Sequence, residues 1–226
     1  MMIETLLLDV DNTLLDFHAG AKECIRNGFA LWGLPFDENT FPIFTRLNNG
    51  LWRQIETGER TREELYRDRW NIIFEALGIE ADGQAFETLF RTSLSQSAVP
   101  VEGAMETLAY LADKYRLCVA SNGPWEQQTG RLRRAGMLDF FDQVFVSERI
   151  GAQKPTAAFF DACMASLGHP DKESVMIIGD SLTADIGGGV EYGLKTCWYN
   201  HDKLPHPADL SADYAVECLW DLRHIL

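Results

Sequence analysis

From Val99 onward, short apolar stretches alternate with amphipathic ones, and this recurrence most constrains what the chain can fold into. Ala104, Met105, Leu108 and Leu111 share one helix face ahead of an apolar strand, Leu117 to Ser121. A helix from about Trp125 to Ala135 follows, then a strand Val144 to Val146, a helix from about Ala157 to Leu167 and a strand Val175 to Ile178. A glycine-rich helix, the strand Lys195 to Tyr199 and a short strand and helix complete the pattern. Repeated strand–helix units imply a parallel sheet with right-handed crossovers. No internal repeat, low-complexity segment or long linker interrupts them.

A further apolar strand, Ile3 to Val10, opens the chain and ends in Asp9-Val10-Asp11-Asn12-Thr13. Residues two apart in a strand project to the same side, although past its end the chain can turn and spread Asp9 and Asp11 around one ligand. A buried pair of like charges is unstable without a cation or a shared proton. The pair therefore points to a metal or phosphoryl site, although alone the segment is better explained by exposed turn aspartates.

Between this strand and Val99 the pattern is helical. Phe86, Leu89, Phe90 and Leu94 follow the i, i+3, i+4, i+8 spacing of a buried helix face, Leu47, Leu51 and Ile55 recur every four residues, and Gly58 and Gly78 punctuate the segment. The expected organisation is a core of residues 1–15 and 98–226 with a helical insert over 16–97, within the range that 226 residues allow. Hydrophobic content of 46% and charged content of 24% match ordinary globular folding. No apolar run approaches the roughly 20 residues that span a bilayer. The N-terminus carries Glu4 and Asp9 where a secretory signal would be basic, so the expected location is the cytoplasm. Cys24, Cys118, Cys163, Cys197 and Cys218 are scattered without a C-x-x-C pair; they suggest buried small hydrophobes rather than disulfides or a zinc site. A formal net charge of −14 argues against a nucleic-acid polymer as partner, so an anionic ligand must be small and locally neutralised.

In a parallel α/β sheet, ligands bind outside the carboxyl ends of the strands where strand order reverses. Asp9 and Asp11, Ser121-Asn122-Gly123, Lys154-Pro155 and Gly179-Asp180 all fall at such ends or in the loop after one. Oxygen ligands at Asp9, Asp180 and Asp185 suit a hard cation such as Mg²⁺. Ser121 can hydrogen-bond a phosphoryl oxygen, the Asn122 and Gly123 amides near the next helix start favour an anion, and Lys154 adds positive charge. One carboxylate could then attack phosphorus despite the substrate's charge. Taken singly, Ser121 and Asn122 could be turn formers, Lys154 a solvated helix-start residue and Asp180 a helix N-cap; their convergence favours the chemistry. Gly187-Gly188-Gly189 is costly in a helix and implies close packing on the sheet. It is not a dinucleotide fingerprint.

The order and character of Asp9-Val10-Asp11-Asn12-Thr13, Ser121-Asn122-Gly123, Lys154-Pro155 and Gly179-Asp180-Ser181 followed by Asp185 resemble the phosphatase branch of the haloacid dehalogenase superfamily. The resemblance covers nearly the whole chain and implies a Rossmann-like parallel sheet, with the insert as a helical cap that closes over the site. It implies that Asp9 is a nucleophile forming an aspartyl-phosphate and Asp11 the general acid, then base. Ser121 and Lys154 would bind the transferring phosphoryl group. Asp9 and Asp180, with the backbone carbonyl of Asp11, would hold Mg²⁺, and Asp185 would support the metal or its water. Asp11 favours phosphatase over dehalogenase, whose members lack an acid there.

Within the insert, Asn48-Asn49-Gly50-Leu51-Trp52 and Glu56-Thr57-Gly58, together with Thr196-Cys197-Trp198-Tyr199-Asn200, are similar to the small nucleotidases that act on pyrimidine nucleoside monophosphates. Asn48, Asn49 and Trp52 could stack on and hydrogen-bond a base. Trp52 also fits a helix stripe and Trp198 the end of a core strand, positions that core packing explains more readily than base contact. The expected activity is hydrolysis of a pyrimidine nucleoside monophosphate. The alternatives are a sugar-phosphate or phosphoglycolate phosphatase, a phosphomutase, and a non-catalytic binding module on the same fold.

Overall fold

The computed structural model describes residues 2–208 and 210–226 and divides into two compact units, Met1–Asp16 with Ala98–Leu226, and Phe17–Ser97. In the first unit a six-stranded sheet runs through β1 (Thr5–Leu8), β2 (Arg116–Ser121), β3 (Gln143–Val146), β4 (Val175–Gly179), β5 (Lys195–Tyr199) and β6 (Tyr214–Val216). Its spatial order is β3-β2-β1-β4-β5-β6, and every neighbouring pair is parallel. Strand order reverses between β1 and β4, which places the switch point beside β1. The first strand is shorter than the apolar run Ile3 to Val10 suggests, because Val10 turns: its carbonyl accepts from the N–H groups of Leu14 and Leu15 at 2.9 and 2.8 Å.

The second unit contains α1 (Phe17–Trp32), α2 (Thr40–Glu56), α3 (Arg62–Leu77) and α4 (Gly83–Gln96). Local chemistry sets their ends. Thr61 and Glu64 form a reciprocal capping box at the start of α3, Gly78 ends it at φ 66°, and Asp82 caps α4 through the N–H groups of Gln84 and Ala85. Their shared core is aromatic: Phe29, Phe44, Trp70, Phe74, Phe86 and Phe90 are buried, with the Trp70 and Phe86 rings 4.4 Å apart edge to face. A Cβ on Gly28 would lie 2.8 Å from the Phe86 ring, so the glycine lets α1 approach α4. A buried ionic group ties three helices together. Arg69 donates to Glu87 through Nε at 3.0 Å and Nη2 at 2.6 Å, and to Asn48 Oδ1 through Nη1 at 2.9 Å.

In the sheet unit, α5 (Ala104–Ala112), α6 (Trp125–Arg134), α7 (Ser147–Ile150), α8 (Ala157–Ser166) and α9 (Gly188–Tyr192) cover both faces. Strand alternation sorts the core: Leu6, Leu8, Val119 and Ile178 pack with Leu108 and Leu111, while Leu7, Cys118, Ala120 and Ile177 pack with Phe159 and Phe160. Each fully buried leucine or phenylalanine contributes about 1.5–3 kcal/mol. The glycine run falls where a π-helical turn, Leu182–Gly187, passes into α9. Added Cβ atoms would lie 2.9 Å from Pro155 at Gly188 and 2.6 Å from Ile177 at Gly189, the close packing that the run implies. Cys24, Cys118, Cys163 and Cys197 are buried as expected; Cys218 is exposed, contrary to expectation, in the stretch between β6 and the last 3₁₀ turn. No helix among the described residues is long and apolar enough to cross a membrane.

Candidate active site

The switch point gathers the strand-end residues. Leu8 pairs with Val119 on one side and Ile178 on the other, and the Asp9 N–H continues the ladder to the Ile178 carbonyl at 2.9 Å. Asp9 is buried there. Because the chain then turns, Asp9 and Asp11 face different partners.

Lys154, 1% exposed, reaches into the end of the sheet. Its ammonium donates to Asp9 Oδ1 at 2.8 Å, Asp185 Oδ1 at 2.5 Å and the Ala120 carbonyl at 2.6 Å, which uses all three of its protons. The Asn122 side chain fixes this loop: its Nδ2 donates to the Lys154 carbonyl and its Oδ1 accepts from the Lys154 N–H, both at 2.9 Å. The anion-binding expectation for Asn122 thus rests on its main-chain amide, while its side chain positions Lys154. Burial opposes the Lys154 charge, but the adjacent Asp185 and Asp9 outweigh it and hold the ammonium's pKa above its usual range.

Asp180 follows β4. Its main-chain carbonyl accepts from Trp198 Nε1 at 3.0 Å and its Oδ1 from Thr13 Oγ1 at 3.4 Å, so Trp198 serves here as core support for the loop. Asp185 is buried in the π-helical turn and its Oδ2 accepts from the Ser181 N–H at 3.1 Å. A Cβ on Gly179 would lie 2.1 Å from that oxygen, which explains the glycine before Asp180.

Asp9, Asp180 and Asp185 each offer a carboxylate oxygen within 4.8 Å of the others. Three carboxylates here face one ammonium. Burial pushes the Asp9 carboxyl up to about 7, with Lys154 opposing the rise and Asp185 adding to it. Burial, with Asp9 and Asp185 adding to it, raises Asp180 well above the ordinary carboxylate range. An all-oxygen set with excess negative charge fits a hard divalent cation. The Asp11 carboxylate has other partners, so any contribution of Asp11 to a cation comes through its backbone carbonyl.

Those partners, Gln128 and Arg131, were not evident in the sequence. Asp11 Oδ1 is paired with Arg131 Nη1 and Oδ2 accepts from Gln128 Nε2 at 2.6 Å. Gln128 Nε2 also donates to Ser121 Oγ at 2.9 Å, and the Gly123 N–H donates to the same oxygen at 3.1 Å. With both acceptor positions of the hydroxyl filled, the Ser121 proton is directed to another acceptor, such as a phosphoryl oxygen. The available signal was the i, i+3 spacing of Gln128 and Arg131 on the helix that starts just after Ser121, on the stripe that includes buried Leu132.

The remaining expected residues lie in the helical unit. Asn48 is buried with its Oδ1 accepting from Arg69, Asn49 is exposed, and Trp52 is half-buried against a cluster of Leu51, Ile55 and Leu65.

The model of the haloacid dehalogenase-like hydrolase family matches residues 3–193. YfnB, a HAD-hydrolase of Bacillus subtilis, is 37% identical over 222 residues, covering 98% of this chain and 94% of that protein. Its crystal structure, bound to magnesium, superposes with a TM-score of 0.94 at 36% identity, covering 100% of this chain and 99% of that one. The pyrimidine 5'-nucleotidase PynA of Streptococcus pneumoniae is 34% identical over 98% of this chain and 94% of its own length. YjjG, the pyrimidine 5'-nucleotidase of Escherichia coli, is 28% identical over 100% of this chain and 99% of its own length. The strand-end constellation and these matches over almost the full length agree: the chain belongs to the haloacid dehalogenase-like hydrolases.

Proposed function

We propose that the chain is a cation-dependent phosphomonoester hydrolase that works through an aspartyl-phosphate on Asp9 and acts on pyrimidine nucleoside 5'-monophosphates. The observation that carries the reaction is the Asp9 carboxylate, held by Lys154 inside a set of three carboxylates, with the Ser121 hydroxyl at the end of the adjacent strand. Asp9 attacks phosphorus as the bond to the leaving oxygen breaks, and Asp11 gives that oxygen its proton. As a carboxylate, Asp11 then takes a proton from water, whose oxygen attacks the phosphorus, breaks the acyl-phosphate bond and returns Asp9 to its starting form. Ser121 donates to a phosphoryl oxygen, while Lys154, its three protons committed to Asp9, Asp185 and the Ala120 carbonyl, supplies positive charge beside the phosphoryl group. Mg²⁺ held by Asp9, Asp180 and the Asp11 carbonyl, with Asp185 behind it, would neutralise charge between carboxylates and phosphate.

The substrate reading is supported by the PynA and YjjG relatives and by Asn48, Asn49 and Trp52 in the insert. Because Asn48 is committed to Arg69, Asn49 and Trp52 remain as the candidate base contacts. A panel of phosphomonoesters assayed with Mg²⁺ tests this. Deoxypyrimidine monophosphates should be hydrolysed fastest, and Trp52→Ala should reduce selectivity among nucleotides more than cleavage of a small generic ester. Melting curves on the same samples control for the packing of Trp52. A preference of about tenfold for phosphoglycolate or a hexose phosphate would overturn the nucleotidase reading and leave the hydrolase reading standing.

A further inference from the structure

We infer that Arg131 and Gln128 are positioning residues that lock the leaving-group acid and the phosphoryl-binding hydroxyl into one frame. The inference rests on the reading of Asp11 as acid and base. Arg131 Nη1 bonds both Asp11 Oδ1 and, at 3.2 Å, Gln128 Oε1; Gln128 Nε2 bonds Asp11 Oδ2 and Ser121 Oγ. Arg131, Gln128 and Asp11 thereby close a ring in which both carboxylate oxygens of Asp11 are held. About a third of the Asp11 side chain, 31%, stays exposed for a reaction partner.

Two observations set this ring apart from ordinary packing. Arg131 is 0% exposed on a helix whose neighbouring Leu132 is in the apolar core, a place where a hydrophobic side chain would serve stability as well or better. Gly123 is the second: a Cβ there would lie 2.2 Å from Gln128 Nε2, so the backbone at the strand end is kept bare for Gln128 to reach Ser121 and Asp11 together. Such a frame fixes the distance between the proton donor and the phosphoryl group. That distance matters most when the leaving oxygen needs a proton as its bond breaks.

The test compares kcat and KM for wild type, Asp11→Asn, Arg131→Gln, Arg131→Lys, Gln128→Leu and the double variant Asp11→Asn/Arg131→Gln. Two esters are used: a nucleoside 5'-monophosphate, whose alkoxide needs protonation, and p-nitrophenyl phosphate, whose leaving group does not. Arg131→Gln should lower kcat/KM, which reports the step that expels the leaving group and not the later hydrolysis common to both esters, by about 10- to 100-fold on the nucleotide and by less than about fivefold on p-nitrophenyl phosphate. Arg131→Lys, which keeps the charge but not the planar guanidinium, should recover part of that loss. In the Asp11→Asn background Arg131→Gln should add less than about twofold, because it acts through the residue already disabled.

Equal losses on both esters, or full additivity with Asp11→Asn, would overturn the inference. If melting curves show that Arg131→Gln does not fold, Gln128→Leu decides: a larger loss on the nucleotide supports the frame, and an equal loss on both esters rejects it. Should Asp11→Asn itself lose kcat/KM equally on both esters, the acid role of Asp11 fails. That outcome is distinct from Asp11→Asn discriminating while Arg131→Gln does not.

Discussion

Each unit of this protein buries an ionic cluster, and the two are built on opposite charge balances. In the helical unit one guanidinium, Arg69, faces one carboxylate, Glu87, in a two-pronged pair, with the Asn48 amide oxygen taking a third bond; the paired side chains are 4% and 5% exposed. In the sheet unit one ammonium, Lys154, faces Asp9, Asp180 and Asp185. A balanced, fully hydrogen-bonded cluster holds elements together and asks for nothing further. In an unbalanced one, burial and neighbouring carboxylates raise the carboxyl pKa values, a state that a cation would relieve, and under the proposed function this imbalance marks the reactive centre.

Substitutions should therefore have opposite consequences in the two places. Asp9→Asn should abolish phosphate release, by at least about 10³-fold, while the melting temperature of the metal-free protein holds or rises, since one of three crowded carboxylates is gone. Near-normal turnover by the folded variant would remove Asp9 from the chemistry. Glu87→Gln should do the reverse. It strands a buried guanidinium and should cost about 3–5 kcal/mol in a urea unfolding experiment, and a loss below about 1 kcal/mol would show that the helical cluster is not structural.

The comparison is sharpened by pH. The Asp9 carboxyl rises on folding from the usual carboxylate range to about 7, so the metal-free native state holds a proton that the unfolded chain releases. Its stabilising contribution is complete below the unfolded pKa and is lost as pH rises through about 7. Mg²⁺ competes for the same oxygens, so the rise in melting temperature on adding it should be larger at pH 8 than at pH 5.5. A gain independent of pH would separate cation binding from the Asp9 carboxyl. Asp9→Asn should reduce the dependence, leaving the part carried by Asp180, whose carboxyl pKa burial also raises, whereas Glu87→Gln should leave it in place.

How far the sequence discloses these clusters follows from how local their signals are. Strand ends carry theirs in adjacent residues: Asp9 after an apolar run, Ser121-Asn122-Gly123 after another and Gly179-Asp180 after a third. A parallel sheet brings such ends together by topology, which is why Lys154 and Asp9, 145 residues apart, meet at 2.8 Å. Arg131 and Gln128 had no such punctuation. They lie mid-helix beside exposed Arg133 and Arg134, and only the tertiary contact with Asp11, 120 residues away for Arg131, separates them from a solvated face. Asn48 stands in the sequence only as a candidate base contact, within Asn48-Asn49-Gly50-Leu51-Trp52. Its partner Arg69 sits 21 residues on, in a different helix, and a sequence offers no means of joining them.

The central claim is that the excess negative charge around Asp9 is a reaction centre completed by a cation. Its most direct test is the rate of phosphate release from a pyrimidine nucleoside monophosphate by the metal-stripped protein, titrated with Mg²⁺ beside Asp180→Ala. The account predicts no release without Mg²⁺, saturable recovery in the wild type, and a titration shifted to higher Mg²⁺ in the variant. Full release by the stripped protein, or identical titrations for the two proteins, would contradict it.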